Sequence, residues 1–161
     1  MKQSNEKIRR RCWMLFALAL GVTAFIFFLS LKDKEQSGAL SGGIVQWLKP
    51  LLDPYNRVSE EAFHHYLRKT AHFTEFAVLG LCWSSYSVQL GKLKGRRYIT
   101  LPLLLTLGTA VSDEYIQFFA NRGSAVTDVV LDYTGAVFGF AIIYLWNLRM
   151  CRRGTEKETS L

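Results

Sequence analysis

The sequence predicts an all-α protein: a polytopic membrane bundle of four transmembrane helices with both chain termini in the cytoplasm. Hydrophobic residues make up 50% of the chain and occur in long apolar blocks, with the charged residues gathered mainly between them. A soluble core would mix the two kinds of residue more finely. Basic segments alternate along the chain with segments of balanced or almost no charge, as the positive-inside rule requires of successive loops.

The net charge of +7 does not indicate a nucleic-acid partner. The lysines and arginines lie beside apolar blocks, and no basic face with interleaved aromatic residues is present. They are better explained as topology signals and as contacts for anionic membrane lipids. The three cysteines have neither zinc-site nor disulfide spacing, so no cofactor or metal is expected from them.

The first predicted transmembrane helix covers residues 12–31. It follows a basic cytoplasmic tail at residues 1–11, carries no charge, and is about 30 Å long as a helix, enough to cross a bilayer core. No small-residue cleavage site follows it, which favours an uncleaved helix over a signal peptide. Residues 32–69 then form an outer loop, with an amphipathic interfacial helix around Trp47. Residues 58–66 are also expected to be helical and to continue into the next span without a breaker.

A three-helix core is predicted at residues 70–146, followed by a basic cytoplasmic tail at residues 147–161. The connection at residues 91–97 contains four basic residues and no acid, so it is expected in the cytoplasm. Residues 121–124 form the short outer turn, with its bend at Gly123. The predicted spans of the core are residues 70–90, 98–120 and 126–146.

Three small residues predict close contact between helices. Gly135 and Gly139 are four positions apart on the last span, and Gly80 lies in the second. Small residues at this spacing let helix backbones approach one another in a membrane.

Ionisable residues gather near the outer ends of the three core spans. Helix rise places Glu75, Asp113 and Asp132 at one depth, about 21 to 23 Å from the cytoplasmic side of a core about 30 Å thick. Charges facing lipid are costly, so these side chains must face each other or a watered cavity. Spacings of three or four residues turn each polar stripe inward. The candidate ligand-binding residues are Arg68, Lys69, His72, Glu75, Asp113, Glu114, Gln117, Arg122, Asp128 and Asp132.

This cluster allows several interpretations. One interpretation is purely structural: the charged residues pair with each other and hold three helices in register. Another is an outward pocket whose basic residues bind a phosphate or carboxylate. A metal site is not expected, because only His72 among the histidines falls in the cluster and His64 and His65 are treated as interfacial. A carboxylate pair that shares a proton is a further alternative. Glu75 and Asp113, on different helices, are better candidates for such a pair than the sequence neighbours Asp113 and Glu114.

Residues 68–76 (RKTAHFTEF) and 112–117 (SDEYIQ), with Arg122 and residues 128–135, strongly resemble the VanZ-like family. The resemblance covers about residues 68–139 and implies a small multispan membrane protein in which the polar residues above are characteristic. The chain departs from the family pattern at Phe76, often tyrosine, at residues 120–122, usually Pro-Gly-Arg, and at Asp132, commonly asparagine. The family's name comes from a member associated with resistance to the lipoglycopeptide teicoplanin.

Three functional hypotheses follow. The first is a non-enzymatic protein of the bacterial inner membrane that binds a lipid-linked cell-wall precursor or a glycopeptide and reduces antibiotic access. The second is an intramembrane enzyme acting on a lipid headgroup, with candidate catalytic residues His72, Glu75, Asp113 and Glu114. The third is a structural partner of cell-wall machinery, in which charge-neutral substitutions that keep the packing would retain function.

Overall fold

The prediction of an all-α protein is confirmed. A computed structural model describes residues 2–32, 34–53, 55, 57–120 and 125–159, with side chains for residues 5–32, 42–53, 55, 57–120 and 125–150. Its described part contains five helices and no strand. The helices are α1 (Lys2–Ser30), α2 (Lys34–Leu52), α3 (Glu60–Lys94), α4 (Thr100–Phe119) and α5 (Val126–Thr159).

Three of the helices, α1, α3 and α5, extend beyond the predicted spans, whereas α4 lies within its predicted span. α1 includes most of the basic tail, and α5 continues well past residue 146, because the Lys, Arg and Glu residues there favour a helix and no proline interrupts it. The expected continuity of residues 58–66 with the second span is confirmed, since α3 begins at Glu60. The predicted bend at Gly123 lies outside the described residues.

Both ends of α3 have capping residues. The side chain of Ser59 accepts a hydrogen bond from the backbone N–H of Ala62. At the other end, Gly95 has φ 65°, in the left-handed region that favours glycine, and its N–H donates to the Gly91 carbonyl. These caps fix the start and end of the longest helix, which is about 52 Å long at the helical rise.

α3 is the central helix of the bundle. It packs most extensively against α5 and α1, and also contacts α4 and α2. Phe76 and Leu79 of α3 are fully buried between Ile26 of α1, Ala110 of α4 and Ala136 of α5. The predicted three-helix core therefore has a fourth member, because α1 packs on the same central helix.

Glycines bring α3 and α5 into backbone contact, as the small-residue spacing predicts. A Cβ atom on Gly80 would lie 2.1 Å from the Ala136 carbonyl oxygen. One on Gly135 would lie 2.3 Å from that of Phe73, and one on Gly139 would lie 2.1 Å from that of Ala77. These distances leave no room for a methyl group, so the approach of the two helices depends on the three glycines.

Two helices, α1 and α5, are long and apolar enough to cross a membrane: Asn5–Ser30 and Val126–Met150. The central position of α3 accounts for its lower hydropathy, because Ser84 and Ser87 are buried against the other helices. In α4 the hydropathy is lowered by Asp113, Glu114 and Gln117, which are buried as well. Apolar side chains of α4 remain exposed, among them Leu104 (66%), Val111 (54%), Phe118 (64%) and Phe119 (67%).

Candidate functional site

A polar cavity lies where the first half of α3, the end of α4 and the start of α5 meet. Its volume is about 210 Å³. Its walls come from three helices that are separated in sequence. The similar predicted depth of the charged residues in the membrane led us to expect that these helices bring them together. The lining residues are His65, Arg68, Lys69, His72, Glu114, Gln117, Asp128, Leu131 and Asp132.

Two basic residues of α3 connect the walls of the cavity. The Arg68 guanidinium donates a hydrogen bond of 3.0 Å to the Gln117 side-chain oxygen on α4. The Lys69 ammonium forms an ion pair with Asp128 on α5, and these two side chains are 33% and 26% exposed. Both cations are thus positioned by contacts with a second helix and remain accessible from the cavity.

Asp113 forms the floor beneath the lining residues and is completely buried. One of its carboxylate oxygens accepts a 2.6 Å hydrogen bond from the Ser30 hydroxyl, and the other accepts a 2.7 Å bond from the Gln117 side-chain nitrogen. With the bond from Arg68, these contacts form a continuous chain from α3 through α4 to α1. Gln117 uses both ends of its amide, so its orientation is fixed by its partners.

His72 lies between two aspartates that come from different helices. Its Nδ1 atom is 4.0 Å from a carboxylate oxygen of Asp113 and 3.7 Å from one of Asp132. Asp132 is only 1% exposed, and neither of its carboxylate oxygens has a hydrogen-bond partner among the described residues. A buried carboxyl group without hydrogen bonds is costly, which makes Asp132 the most unusual group of the cavity.

Glu114 connects α4 to the start of α5. It is 7% exposed, and its carboxylate accepts a 3.1 Å hydrogen bond from the backbone N–H of Ala125, just before α5 begins. Glu114 therefore both lines the cavity and accepts a hydrogen bond from the residue that precedes α5.

The structure brings most of the predicted site residues together. Seven of them line the cavity, and Asp113 lies directly beneath it. Glu75 is partly buried on α3, at a position that is not among the lining residues. The predicted contribution of Arg122 lies outside the described residues. The residues that line the cavity as predicted are Arg68, Lys69, His72, Glu114, Gln117, Asp128 and Asp132.

Sequence reasoning missed Ser30, His65 and Leu131. His65 precedes Arg68 by three positions and His72 by seven, so the helical spacing that groups the other α3 residues also includes it. Leu131 is an apolar residue beside Asp132, and no sequence signal distinguishes it. Ser30 lies on α1, 83 positions from its partner Asp113, and no spacing rule connects them.

The cavity also contains residues that could hold a metal ion. One ligand atom from each of His72, Asp113 and Asp132 lies within 4.8 Å of the other two. The prediction of no metal rested on the presence of a single histidine in the cluster. An imidazole with two carboxylates is nevertheless a ligand set that divalent transition metals accept.

A second cavity, of about 250 Å³, lies at the opposite end of α3. It contains none of the predicted site residues. Ser84 and Ser87 line it, together with Lys92, Arg96 and Phe140. The buried polar cluster described above is therefore separate from the larger cavity.

Comparison with known proteins identifies one matching family. No curated protein and no solved structure matches the chain. The family model VanZ/LLP1 matches residues 15–147, which include α1 as well as the three helices that line the cavity. The match extends well beyond the motif region at residues 68–139, and Ser30 lies inside it. The chain belongs to the VanZ/LLP1 family.

Proposed function

We propose that the chain is a four-span protein of the bacterial inner membrane whose polar cavity opens outward and binds an anionic, lipid-linked envelope ligand. The observation that carries this proposal is the cavity itself, with Arg68 and Lys69 in its wall and a buried hydrogen-bonded floor. A teicoplanin-resistance role would follow if the bound ligand were a cell-wall precursor or the lipoglycopeptide.

Four spans are favoured by the way α3 and α4 distribute their residues. The carboxyl and amide side chains of α4 are buried within the bundle, whereas Leu104, Val111 and Phe118 are exposed in the manner of a lipid-facing surface. α3 contacts all four other helices, and the hydroxyls of its exposed Thr70 and Thr74 donate to carbonyls of the same helix, so these polar groups do not meet lipid unpaired. The basic connection after α3 and the basic end of α5 then both lie in the cytoplasm.

The two cations retain donors for a ligand. A guanidinium has five N–H donors, and the described contacts of Arg68 use one of them, for Gln117. The Lys69 ammonium has three donors and gives one to Asp128. Since both groups are held in place by a second helix, a phosphate entering the cavity would find donors that are already oriented.

A second candidate function is an intramembrane enzyme acting on a lipid headgroup. The observation that favours it is the position of His72, with carboxylates of Asp113 and Asp132 at 4.0 and 3.7 Å. A carboxylate partner orients an imidazole and stabilises its protonated form, which suits general acid–base chemistry. Cleavage of a lipid phosphate by the purified protein would distinguish this enzymatic function from ligand binding alone.

The resistance role is tested in cells that express the intact chain, Arg68→Ala or His72→Ala. Teicoplanin susceptibility is measured, and the amount of protein in the membrane is matched by immunoblot. The intact chain is expected to raise the inhibitory concentration, and both variants are expected to lose that effect, because they alter the wall of the cavity. Glu60→Gln is the control, since Glu60 is exposed in the first turn of α3.

Two outcomes would count against this role. If Arg68→Ala and His72→Ala protect as well as the intact chain, the cavity is not the working site. If even the intact chain leaves susceptibility unchanged, this protein does not have the resistance phenotype from which the family takes its name.

A further inference from the structure

The polar cavity contains more acidic than basic groups. Among the described residues that line it or lie directly beneath it, two are cationic, Arg68 and Lys69, and four carry carboxyl groups. Lys69 pairs with Asp128, and Arg68 donates to an uncharged amide. Neither of these cations donates a hydrogen bond to the buried carboxyl group of Asp132.

Asp132 points to a missing ligand most directly. It is 1% exposed, it belongs to the cavity lining, and both of its carboxylate oxygens lack hydrogen-bond partners among the described residues. Buried charges in proteins are paired or coordinate metals. A cation bound beside Asp132 would provide the interaction that its oxygens lack.

We propose that His72, Asp113 and Asp132 bind a divalent transition-metal ion, Mn²⁺ or Zn²⁺, at the floor of the cavity. One ligand atom from each residue lies within 4.8 Å of the other two, and the three residues come from α3, α4 and α5. Ligands at about 2.1 Å from a tetrahedral ion lie about 3.4 Å apart. The distances of 3.7 and 4.0 Å from His72 Nδ1 are close to this value, whereas the spread of up to 4.8 Å among the three atoms requires the carboxylates to move closer together when the ion binds.

The ligand chemistry selects the class of ion. Carboxylates suit Mg²⁺, Ca²⁺ and Mn²⁺, while imidazole suits Zn²⁺ and other transition metals. A set of one imidazole and two carboxylates therefore favours Mn²⁺ or Zn²⁺ over the alkaline-earth ions. Three protein ligands also leave coordination positions open, as catalytic and substrate-binding metal sites do.

Neighbouring residues already orient one of the proposed ligands. The Ser30 hydroxyl and the Gln117 amide donate to different oxygens of Asp113. Hydrogen bonds of this kind position metal ligands and tune their basicity. Ser30 and Gln117 would then be positioning residues, and the contact from α1 to Asp113 acquires a role beyond packing.

The ion would also explain how an acidic cavity accepts an anion. A divalent cation balances the charge of the two buried aspartates and offers an open position to a phosphate oxygen, between the donors of Arg68 and Lys69. This part of the inference rests on the proposed function. The metal site itself rests on the three ligands and on the lack of hydrogen bonds to the Asp132 carboxyl group among the described residues.

The test uses the full chain, purified in a non-ionic detergent with a tag that contains no histidine and dialysed against a chelator. Mn²⁺ and Zn²⁺ are added separately, and the bound metal per chain and the melting temperature are measured. We expect one ion per chain and a higher melting temperature. His72→Gln and Asp132→Asn, on different helices, should each weaken binding at least about 10-fold, whereas Glu60→Gln should bind as the intact chain does. Circular dichroism confirms that each variant remains helical.

The inference is overturned if the intact chain binds neither ion, in which case a shared proton or a neutral carboxyl group accounts for Asp132. It is also overturned if both site variants bind metal as well as Glu60→Gln. Binding of farnesyl phosphate, a lipid phosphate, is measured in the same samples. Loss of the metal site with retained lipid-phosphate binding would leave the proposed function standing, and metal binding without lipid-phosphate binding would remove the proposed function alone.

Discussion

Replacing Gly139 by alanine is expected to lower the free energy of unfolding by about 3 kcal/mol, the upper end of the usual range for overpacking. The added Cβ would lie 2.1 Å from the Ala77 carbonyl oxygen and 2.9 Å from the Leu81 nitrogen. Both atoms belong to the backbone of α3, so a change of side-chain rotamer cannot relieve the contact. The helices must separate, and the packing between α3 and α5 around Gly139 is lost.

Gly108→Ala is the matched control. It is also a helical glycine, on α4, but apart from its chain neighbours and the nearby backbone of its own helix nothing lies within 4 Å of the position that its Cβ would occupy. Helix propensity alone should make this variant more stable, by up to about 1 kcal/mol. Unfolding is followed by circular dichroism in mixed detergent micelles. Equal stability of the two variants would contradict the close approach of α3 and α5.

Asp113→Ala is expected to cost about 3 kcal/mol of unfolding free energy. It removes the acceptor of two buried hydrogen bonds, from Ser30 and Gln117, and bonds to a charged group contribute about 1.5 to 3 kcal/mol each. Their worth inside a membrane protein is often lower, nearer 1 kcal/mol, so the estimate also includes the cost of leaving both donors unsatisfied.

Two further variants show how much each part of the hydrogen-bond chain contributes to this loss of unfolding free energy. Ser30→Ala removes one of the two bonds and should cost about 1 kcal/mol. Ser112→Ala, beside Asp113, removes an exposed hydroxyl that donates only to the Gly108 carbonyl of its own helix, and should be near neutral. If Asp113→Ala is no less stable than Ser112→Ala, the hydrogen-bond chain from α3 to α1 does not hold the bundle together.

Much of the fold could be predicted from the sequence, because apolar blocks and the signs of the intervening charges are properties of single segments. The spans at residues 70–90 and 98–120 correspond to α3 and α4, and the glycines Gly135 and Gly139 do form the predicted close contact. Helix ends were less predictable. The basic residues at the start of α1 and at the end of α5 favour helix as strongly as the apolar segments do.

The grouping of the polar side chains could be predicted where residues share a helix, and it was incomplete where they do not. Spacing on α3 groups Arg68 with His72, whereas the rotation of each helix about its axis decides which carboxylates meet. In the structure Asp132 lies close to Asp113 and His72. The predicted depth in the membrane is the same for Glu75, so depth alone could not show which carboxylate lies beside these residues. Ser30 was unpredictable, since a single serine at the end of an apolar span has no distinguishing pattern and its partner is 83 residues away.

Binding of a lipid phosphate to the purified chain tests the central claim most directly, because it distinguishes a ligand site from a cluster that only holds helices together. Farnesyl phosphate and farnesol, which lacks the phosphate, are compared by isothermal titration with the intact chain, Arg68→Ala and Glu60→Gln. The account predicts that farnesyl phosphate binds the intact chain and Glu60→Gln more tightly than farnesol does, and that Arg68→Ala loses this preference, by about 1.5 to 3 kcal/mol for a charge-assisted contact. Equal binding of the two ligands by the intact chain, or an undiminished preference in Arg68→Ala, would contradict it.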